Sequence, residues 1–462
     1  MSINENNTAG CLKGIQENRK NIVVWGCGQR FRRYAPDLVK YCNIVVVSDS
    51  NTELHGKFFE EWICVKPEQI PKYAEDVIIT VKNPKDVFEI QNALDEIGVK
   101  YCLLDEFLGD IYLREERVLL QSEYPDGMPN KPPYEGGIMK KYIGITVPAN
   151  ECNLRCSYCY LAQCEKSRYG LPKINHLPQY IRRQLSNKNI GGEALIGMSG
   201  AGETLLCNKL TEICAELLKE GHYLHIVTNG LLIDKIKDIV ESAGEYATHI
   251  IFKLSFHYEQ LRKRGLLEEF VKTVEYIKDS PASFTIEVMP HDELVPYIEE
   301  IKQFSMEKFG ALPHLTIGRD DSDDQKLLTK MEFEEYKKTW SVFESELFDI
   351  KMEFYKQRMN NCMAGKYSVH INLETGDVAR CLGQKNCANL YDENFEFDFD
   401  VVGDACKFSY CYNCHAYVTL GNMPHILVPS YCEVRDRITT SGDHWIKEPM
   451  RKFIGQKLYD NN

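Results

Sequence analysis

The placement of the cysteines constrains this chain more than any other feature of its sequence. Eighteen cysteines are present, and they include two clusters. The clusters consist of Cys152, Cys156, Cys159 and Cys164, and of Cys381, Cys387, Cys406, Cys411 and Cys414. No apolar run is long enough to span a membrane, and the polar N-terminus lacks the pattern of a secretion signal. We therefore expect a cytoplasmic protein, whose thiols stay reduced and bind metal.

The balance of charges excludes two classes of partner. Of the 462 residues, 44% are hydrophobic and 27% are charged, which is typical of a globular chain, and the length predicts about three domains. The net charge is −13, whereas nucleic acids and anionic membranes attract basic surfaces. We therefore expect no nucleic-acid partner and no membrane partner.

Residues 1–108 have the pattern of a Rossmann-like, doubly wound α/β domain. Short apolar runs alternate with helical patterns, as in a parallel sheet, and the predicted strands are 21–25, 44–47 and 77–81. Gly26 and Gly28 follow the first strand, and Asp49 comes about twenty residues later, as in a dinucleotide-binding fingerprint. Phe31 stands in place of the third glycine. The domain therefore either binds a nucleotide or serves packing or substrate docking.

A second alternation of strands and helices occupies residues 141–355, after a linker or strap over 109–140 that is rich in proline and glycine. Its predicted strands are 142–147, 194–198, 224–228, 250–255, 284–288 and 314–317. Six parallel strands with right-handed crossovers form a partial (β/α)6 barrel, whose site lies at the C-terminal ends of the strands. Residues 356–462 are irregular and rich in cysteine, and predict a small domain held by a cofactor.

The first cysteine cluster comes directly after the first predicted barrel strand. Cys152, Cys156 and Cys159 have the spacing x3 and x2, so three thiolates on one loop can bind three irons of a cuboidal cluster and leave the fourth iron open. A zinc knuckle that includes Cys164 is the alternative. The spacing, with aromatic Tyr158 before the last cysteine, resembles the radical S-adenosylmethionine (SAM) superfamily.

This resemblance implies a 4Fe–4S cluster held by the three cysteines, whose open iron binds SAM, and the one-electron cleavage of SAM to a 5′-deoxyadenosyl radical. It extends over about residues 142–320. The run Ser199-Gly-Ala-Gly-Glu-Thr204 resembles the Gly-Gly-Glu-Pro element that binds the SAM amino group, with Ala201 and Thr204 as departures. The implied SAM-binding residues are Tyr158, against the adenine, and Gly200, Gly202, Glu203, Asn229 and Ser255.

The C-terminal cysteines resemble the auxiliary-cluster domains called SPASM and twitch. Cys362, Gly376 and Cys381 match the opening of these domains, and a Cys-x2-Cys pair follows at Cys411. Leu420 stands where a full SPASM domain has its next cysteine, so the shorter twitch form with one auxiliary 4Fe–4S cluster fits better. The resemblance implies the ligands Cys362, Cys381, Cys411 and Cys414, for which Cys387 and Cys406 are substitutes. A zinc ribbon is the alternative, because four thiolates suit zinc equally well.

Polar residues at the later strand ends are the candidates for catalysis, namely His257, Glu287 and Arg319. A histidine or carboxylate there can act as the base that deprotonates a substrate radical. The resemblance implies oxidation or epimerisation of a small polar molecule, such as a sugar, a cyclitol or a sugar nucleotide. It also implies an auxiliary cluster that accepts an electron and a flavodoxin or ferredoxin as reductant.

Two other functions remain at this point. A radical SAM maturase would modify a ribosomally made peptide, although such enzymes usually carry a winged-helix recognition domain where this chain has a doubly wound pattern. An iron–sulfur electron carrier or redox sensor would use the clusters but has no need of a SAM pocket.

Overall fold

The computed structural model describes residues 19–131, 137–160, 171–320, 326–357, 360–402, 406, 408, 410, 411 and 413–462. The chain divides into two compact units. One unit consists of Met1–Pro125 with Asn175–Leu177, and the other of Asp126–Ile174 with Pro178–Asn462. Among the described residues, every helix is too short or too polar to cross a lipid bilayer.

The first unit contains a sheet of six strands within its described residues. These strands are β1 (Asn21–Trp25), β2 (Asn43–Ser48), β3 (Phe58–Phe59), β4 (Trp62–Val65), β5 (Asp76–Ile79) and β6 (Lys100–Leu103), in the spatial order β3-β4-β2-β1-β5-β6. All neighbours are parallel except the β3–β4 hairpin. The α/β prediction for this part of the chain is confirmed, and the Rossmann-like assignment stays a prediction.

Both faces of this sheet are buried, because successive side chains of β1 point to opposite sides. Ile22 and Val24 pack in one apolar cluster, while Val23 and Trp25 pack in another. The helices of this unit are α1 (Gln29–Tyr41), α2 (Pro84–Ile97) and α3 (Leu104–Glu123). Residues 109–123, which the sequence analysis placed in a strap, form the last three quarters of α3.

The glycine pair after β1 is tied to the end of β2. The carboxylate of Asp49 accepts a hydrogen bond from the backbone N–H of Cys27 at 2.7 Å and another from that of Asn51 at 2.8 Å. A Cβ on Gly26 would lie 2.5 Å from Oγ1 of Thr80, so close packing explains this glycine. A nucleotide at this turn would have to compete with Asp49 for the Cys27 N–H.

The second unit is built on a sheet that has nine strands within the described residues. These are β7 (Lys141–Val147), β8 (Ala194–Gly200), β9 (Tyr223–Thr228), β10 (Ile250–Ser255), β11 (Ser283–Val288), β12 (His314–Leu315), β15 (Ser368–Asn372), β16 (Asp377–Ala379) and β17 (Asn386–Asn389). A separate short hairpin pairs β13 (Arg319–Asp320) with β14 (Lys326–Leu327). The six predicted barrel strands all occur, β7 to β12, and each pairs in parallel with the next.

The sheet stays open within the described residues, since β12 lies at one edge and β15 extends the other. The β15 strand pairs in parallel with β7, and the antiparallel strands β16 and β17 follow it. This extension was not predicted. It joins the cysteine-rich C-terminal region to the first barrel strand.

Helices cover the outer face of β7 to β12. They are α4 (Pro178–Gln184), α5 (Asn187–Ile190), α6 (Leu210–Lys219), α7 (Ile233–Ala243), α8 (Tyr258–Arg264), α9 (Leu267–Asp279), α10 (Ile298–Phe309), α11 (Phe333–Trp340) and α12 (Glu346–Phe354). Three further helices follow, α13 (Cys414–Leu420), α14 (Met450–Ile454) and α15 (Leu458–Asn461). Alternate strand residues such as Ile196 and Met198 pack in the main core, so the remaining side chains face the interior of the half-barrel.

Candidate active site

A cavity of about 510 Å³ opens at the C-terminal ends of the barrel strands. Its walls include every predicted ligand of the first cluster, every predicted SAM-binding residue and all three catalytic candidates. The residues concerned are Cys152, Cys156, Tyr158, Cys159, Gly200, Gly202, Glu203, Asn229, Ser255, His257, Glu287 and Arg319. The parallel strands bring these separate motifs together, because their C-terminal ends meet at one edge of the sheet.

The three cysteines after β7 are half-buried on the loop that borders this cavity. The backbone N–H of Leu154 donates to Sγ of Cys152 at 3.4 Å, and that of Cys159 donates to the carbonyl of Cys156 at 3.2 Å. Burial raises the pKa of the Cys156 thiol to about 12, so a metal must displace this proton for the thiolate to form. Cys164, the fourth ligand of the zinc-knuckle alternative, lies outside the described residues.

Asn229, at the end of β9, holds the cysteine loop in place. Its side-chain amide donates to Oδ1 of Asn153 at 2.6 Å and lies 3.7 Å from Sγ of Cys152. Its own oxygen accepts from the backbone N–H of Leu231 at 3.1 Å. Contacts therefore fix the orientation of both polar atoms of this buried side chain, and the side chain connects the end of β9 to the cysteine loop.

Glu203 is buried after β8, with 2% of its surface exposed. Its carboxylate accepts hydrogen bonds from the hydroxyl of Thr228 at 2.6 Å, from the backbone N–H of Asn229 at 2.8 Å and from that of Leu205 at 3.1 Å. Burial raises the pKa of Glu203 above its usual value, although these three hydrogen bonds partly offset the rise. Glu203 thus connects the ends of β8 and β9 as well as bordering the cavity.

Gly202 permits a close approach between the β8 loop and the cysteine loop. A Cβ at this position would lie 2.1 Å from the carbonyl oxygen of Glu151, which is far inside contact distance. A Cβ on Gly200 would lie 2.9 Å from that of Ala149. Both glycines are therefore required by the packing of the two loops.

Tyr158 is packed between two histidines. Its hydroxyl lies 3.0 Å from Nδ1 of His257, and its ring centroid lies 4.1 Å from that of His291. Burial lowers the pKa of His257 to about 4, so its ring is neutral at neutral pH. The histidine predicted as a catalytic candidate therefore positions the aromatic residue of the cysteine triplet. His291 comes three residues after β11, at the same end of the sheet.

Glu287, a second catalytic candidate, forms ion pairs with two buried cations. One carboxylate oxygen pairs with Nη1 of Arg435, and the other lies 2.8 Å from Nζ of Lys253. Burial alone would raise the pKa of Glu287, but Lys253 and Arg435 hold it well below its usual value. Glu287 is therefore ionised, and with its pKa lowered and both oxygens held in ion pairs it is a weaker base than the sequence analysis expected.

The third candidate, Arg319, lies in the short strand β13. Its guanidinium carbon is 4.2 Å from the ring centroid of Tyr160, one residue after the last cysteine of the triplet. The sequence analysis missed three further cations that line this cavity, namely Lys253, Lys351 and Arg435. His415, the residue after Cys414, lines it as well. The sequence signal for these three cations was Lys253, a charged residue within the otherwise largely apolar strand Ile250–Ser255.

A second, smaller cavity of about 40 Å³ lies among the C-terminal cysteines. It is lined by three predicted ligands and one substitute, Cys362, Cys381, Cys411 and Cys406. Cys414 is buried at the first position of α13 and lines the larger cavity instead. Cys387 is exposed, and its thiol donates to the carbonyl of Val378 at 3.4 Å.

Comparisons with known proteins match two parts of the chain. Residues 146–305 match the model of the Radical SAM superfamily, and residues 18–102 match that of the family described as C2185-like, N-terminal. No curated protein matches the chain.

Several solved structures are similar to this chain at low sequence identity. SuiB of Streptococcus suis bound to S-adenosylmethionine has 13% identity, with 82% of this chain and 83% of that chain covered and a TM-score of 0.41. The anSMEcpe protein with bound AdoMet has 18% identity over 60% of this chain and 90% of that chain, with a TM-score of 0.41. BtrN in complex with AdoMet and 2-DOIA has 16% identity over 60% of this chain and 94% of that chain, with a TM-score of 0.32.

Proposed function

Since residues 146–305 form a radical SAM domain, which binds a 4Fe–4S cluster and SAM, we propose that this chain abstracts a hydrogen atom from a small polar substrate. The cofactors supply a 5′-deoxyadenosyl radical when they are bound. Cys152, Cys156 and Cys159 are the proposed cluster ligands. The observation that carries this assignment is the presence of all three thiols on one loop at the wall of the 510 Å³ cavity. Three thiolates suit an iron–sulfur cluster that keeps one iron open.

The neighbouring residues are suited to hold SAM beside this loop. Gly200 and Gly202 let the β8 backbone approach closely, and the ionised form of Glu203 can attract an ammonium group. Asn229 and Ser255 stand at the ends of β9 and β10 on the same cavity. We assign these residues, with Tyr158 against the adenine, to SAM binding.

The substrate is proposed to be a small polar molecule related to sugars, cyclitols or sugar nucleotides, and the reaction an oxidation or epimerisation. Ionisable side chains in the inner wall of the cavity, such as Glu287 and Lys253, support this class because they can bind the polar groups of a substrate. His257 is neutral and buried beside Tyr158, so it is able to accept a proton near the reacting atoms.

We also propose an auxiliary 4Fe–4S cluster in the C-terminal region. Cys362, Cys381 and Cys411 line one small cavity, and Cys406 completes a set of four thiols there. Four thiolates leave no iron open, so this cluster is suited to accept an electron and not to bind substrate. Cys406 takes the position that the sequence analysis assigned to Cys414.

Anaerobic reconstitution tests both parts of the proposal. About eight irons per chain, with 5′-deoxyadenosine formed from SAM and dithionite, is the expected result. Cys156→Ala removes the SAM cluster and abolishes 5′-deoxyadenosine, whereas the control Cys207→Ala, at a buried thiol outside the loop, leaves it intact. Persistent 5′-deoxyadenosine formation by Cys156→Ala would overturn the ligand assignment. About four irons with bound zinc would remove the auxiliary cluster from the proposal.

A further inference from the structure

The inner wall of the larger cavity carries more positive than negative charge. Lys253, Lys351 and Arg435 line it together, and Glu287 is the carboxylate among them. Lys351 lies close enough to Lys253, Arg435 and Glu287 for the charges of these three groups to affect it. The whole chain has a net charge of −13, so this excess of positive charge is local to the cavity.

Glu287 cannot neutralise all three cations. Its two oxygens are used by Arg435 and Lys253 in the ion pairs described above. The amine of Lys351 bonds to the neutral hydroxyl of Thr316. Lys351 is 6% exposed and Arg435 is 1% exposed, and buried cations without a counter-charge are costly. Burial lowers the pKa of Lys351 to about 7, so an anion bound beside this lysine would stabilise its protonated form.

Two nitrogen atoms on the same wall point to a missing ligand independently. Among the described residues, neither Nε of Arg435 nor Nε2 of His225 has a hydrogen-bond partner, although both atoms are buried. His225 is 5% exposed, and its other nitrogen lies 3.1 Å from the hydroxyl of Tyr431. Buried polar atoms in native proteins are almost always hydrogen-bonded, so these two atoms favour a polar ligand.

We propose that the substrate carries an anionic group, a phosphate or a carboxylate, and that Lys351 and Arg435 bind it in this inner part of the cavity. Oxygen anions match both residues, since a lysine provides a point charge and an arginine several fixed donors. This inference rests on the proposed function, whose substrate class it narrows to phosphorylated or carboxylated small molecules. Glu287 keeps Lys253 and Arg435 oriented toward the cavity.

The test measures binding of orthophosphate and of malonate to the reconstituted protein by calorimetry, at constant ionic strength, both without SAM and with saturating SAM. Lys351→Met removes one charge, and it leaves no carboxylate without a partner, so the variant is expected to fold. Lys338→Met, at an exposed lysine of α11, is the matched control. We expect saturable binding of one anion per chain, weakened about tenfold by Lys351→Met and unchanged by Lys338→Met. Comparison of the two anions distinguishes a phosphate from a carboxylate.

Three outcomes would overturn the proposal. They are no binding of either anion, equal binding by wild type and Lys351→Met, and anion binding that SAM abolishes, which would assign these cations to the SAM carboxylate. A parallel assay of 5′-deoxyadenosine keeps the two proposals apart. Loss of SAM cleavage with anion binding intact would refute the proposed function and leave only an anion-binding site, and the converse result would refute only the anionic substrate.

Discussion

The hydroxyl of Tyr158 lies 3.0 Å from Nδ1 of His257, which links the cysteine loop to the end of β10. On its other side the ring of Tyr158 packs against His291. Tyr158 stands between two of the proposed cluster ligands in the chain. These contacts therefore fix the conformation of the loop before any cofactor is bound, which reduces the entropy that cluster binding must overcome.

Removal of the Tyr158 hydroxyl is predicted to loosen this loop. We expect Tyr158→Phe to keep the ring contacts but to lower the rate of 5′-deoxyadenosine formation about threefold to tenfold, since one hydrogen bond contributes about 1 kcal/mol. Iron content and the rate, measured after anaerobic reconstitution, check this. Tyr258→Phe is the control, because the hydroxyl of Tyr258 bonds to Glu300 and lies outside the cavity wall. Equal rates for Tyr158→Phe and wild type would contradict the role of this contact.

The close contact between the β8 loop and the cysteine loop can be tested at Gly202. Gly202→Ala would place a methyl group 2.1 Å from the carbonyl oxygen of Glu151, so the loops must separate. We expect the free energy of unfolding to fall by about 1–3 kcal/mol and SAM affinity to fall at least tenfold. Urea unfolding and the SAM dependence of 5′-deoxyadenosine formation measure the two effects.

The matched control for this change is Gly28→Ala in the first unit. A Cβ there has open space around it, and the residue has φ −119°, which any side chain adopts. This variant should match wild type in both assays. Unchanged SAM affinity in Gly202→Ala would show that the close approach serves only folding.

Much of the barrel and its motifs could be predicted from the sequence, because the signals are local. Strands β7 to β11 are short segments of mainly apolar residues, and a residue that follows such a segment must lie at the strand's C-terminal end. The cysteine triplet, Glu203, Asn229 and Ser255 therefore reach one cavity, as expected. Most of α3 was missed, because its mixed polar and apolar residues lead into a region rich in proline and glycine.

The features that could not be predicted depend on contacts between distant parts of the chain. Strand β15 pairs with β7 across more than two hundred residues, and a local pattern does not specify that register. Arg435 and Lys351 reach Glu287 from the C-terminal region and from α12 for the same reason. The choice between Cys406 and Cys414 as a ligand likewise depends on which way each thiol faces, and not on spacing.

The auxiliary ligand set can be tested directly with single substitutions. We expect Cys406→Ala to lose about four irons per chain and the second set of cluster signals in electron paramagnetic resonance, because Cys406 lines the cavity shared by Cys362, Cys381 and Cys411. Cys387→Ala is the control, since its exposed thiol lies outside that cavity. If Cys414→Ala loses the four irons and Cys406→Ala retains them, the ligand set of the sequence analysis is correct instead.

Buried histidines predict that the protein loses stability in mild acid. Burial lowers the pKa of His370 to about 4 and that of His249 to about 4, whereas an unfolded histidine titrates near 6.5. Between those values the unfolded chain binds more protons than the folded one, so stability falls as the pH decreases. Each histidine contributes a slope of about 1.4 kcal/mol per pH unit from about pH 6.5 down to about 4.

Replacement of one histidine isolates its contribution to this slope. We expect His370→Gln, which can keep a hydrogen bond to Thr146, to flatten the dependence of the free energy of unfolding on pH by about one proton relative to wild type. Urea unfolding between pH 7.5 and 4.5, under anaerobic conditions, measures both proteins. His425→Gln, at an exposed histidine, should reproduce the wild-type slope. An identical slope for His370→Gln and wild type would mean that His370 is protonated in the folded state, in spite of its burial.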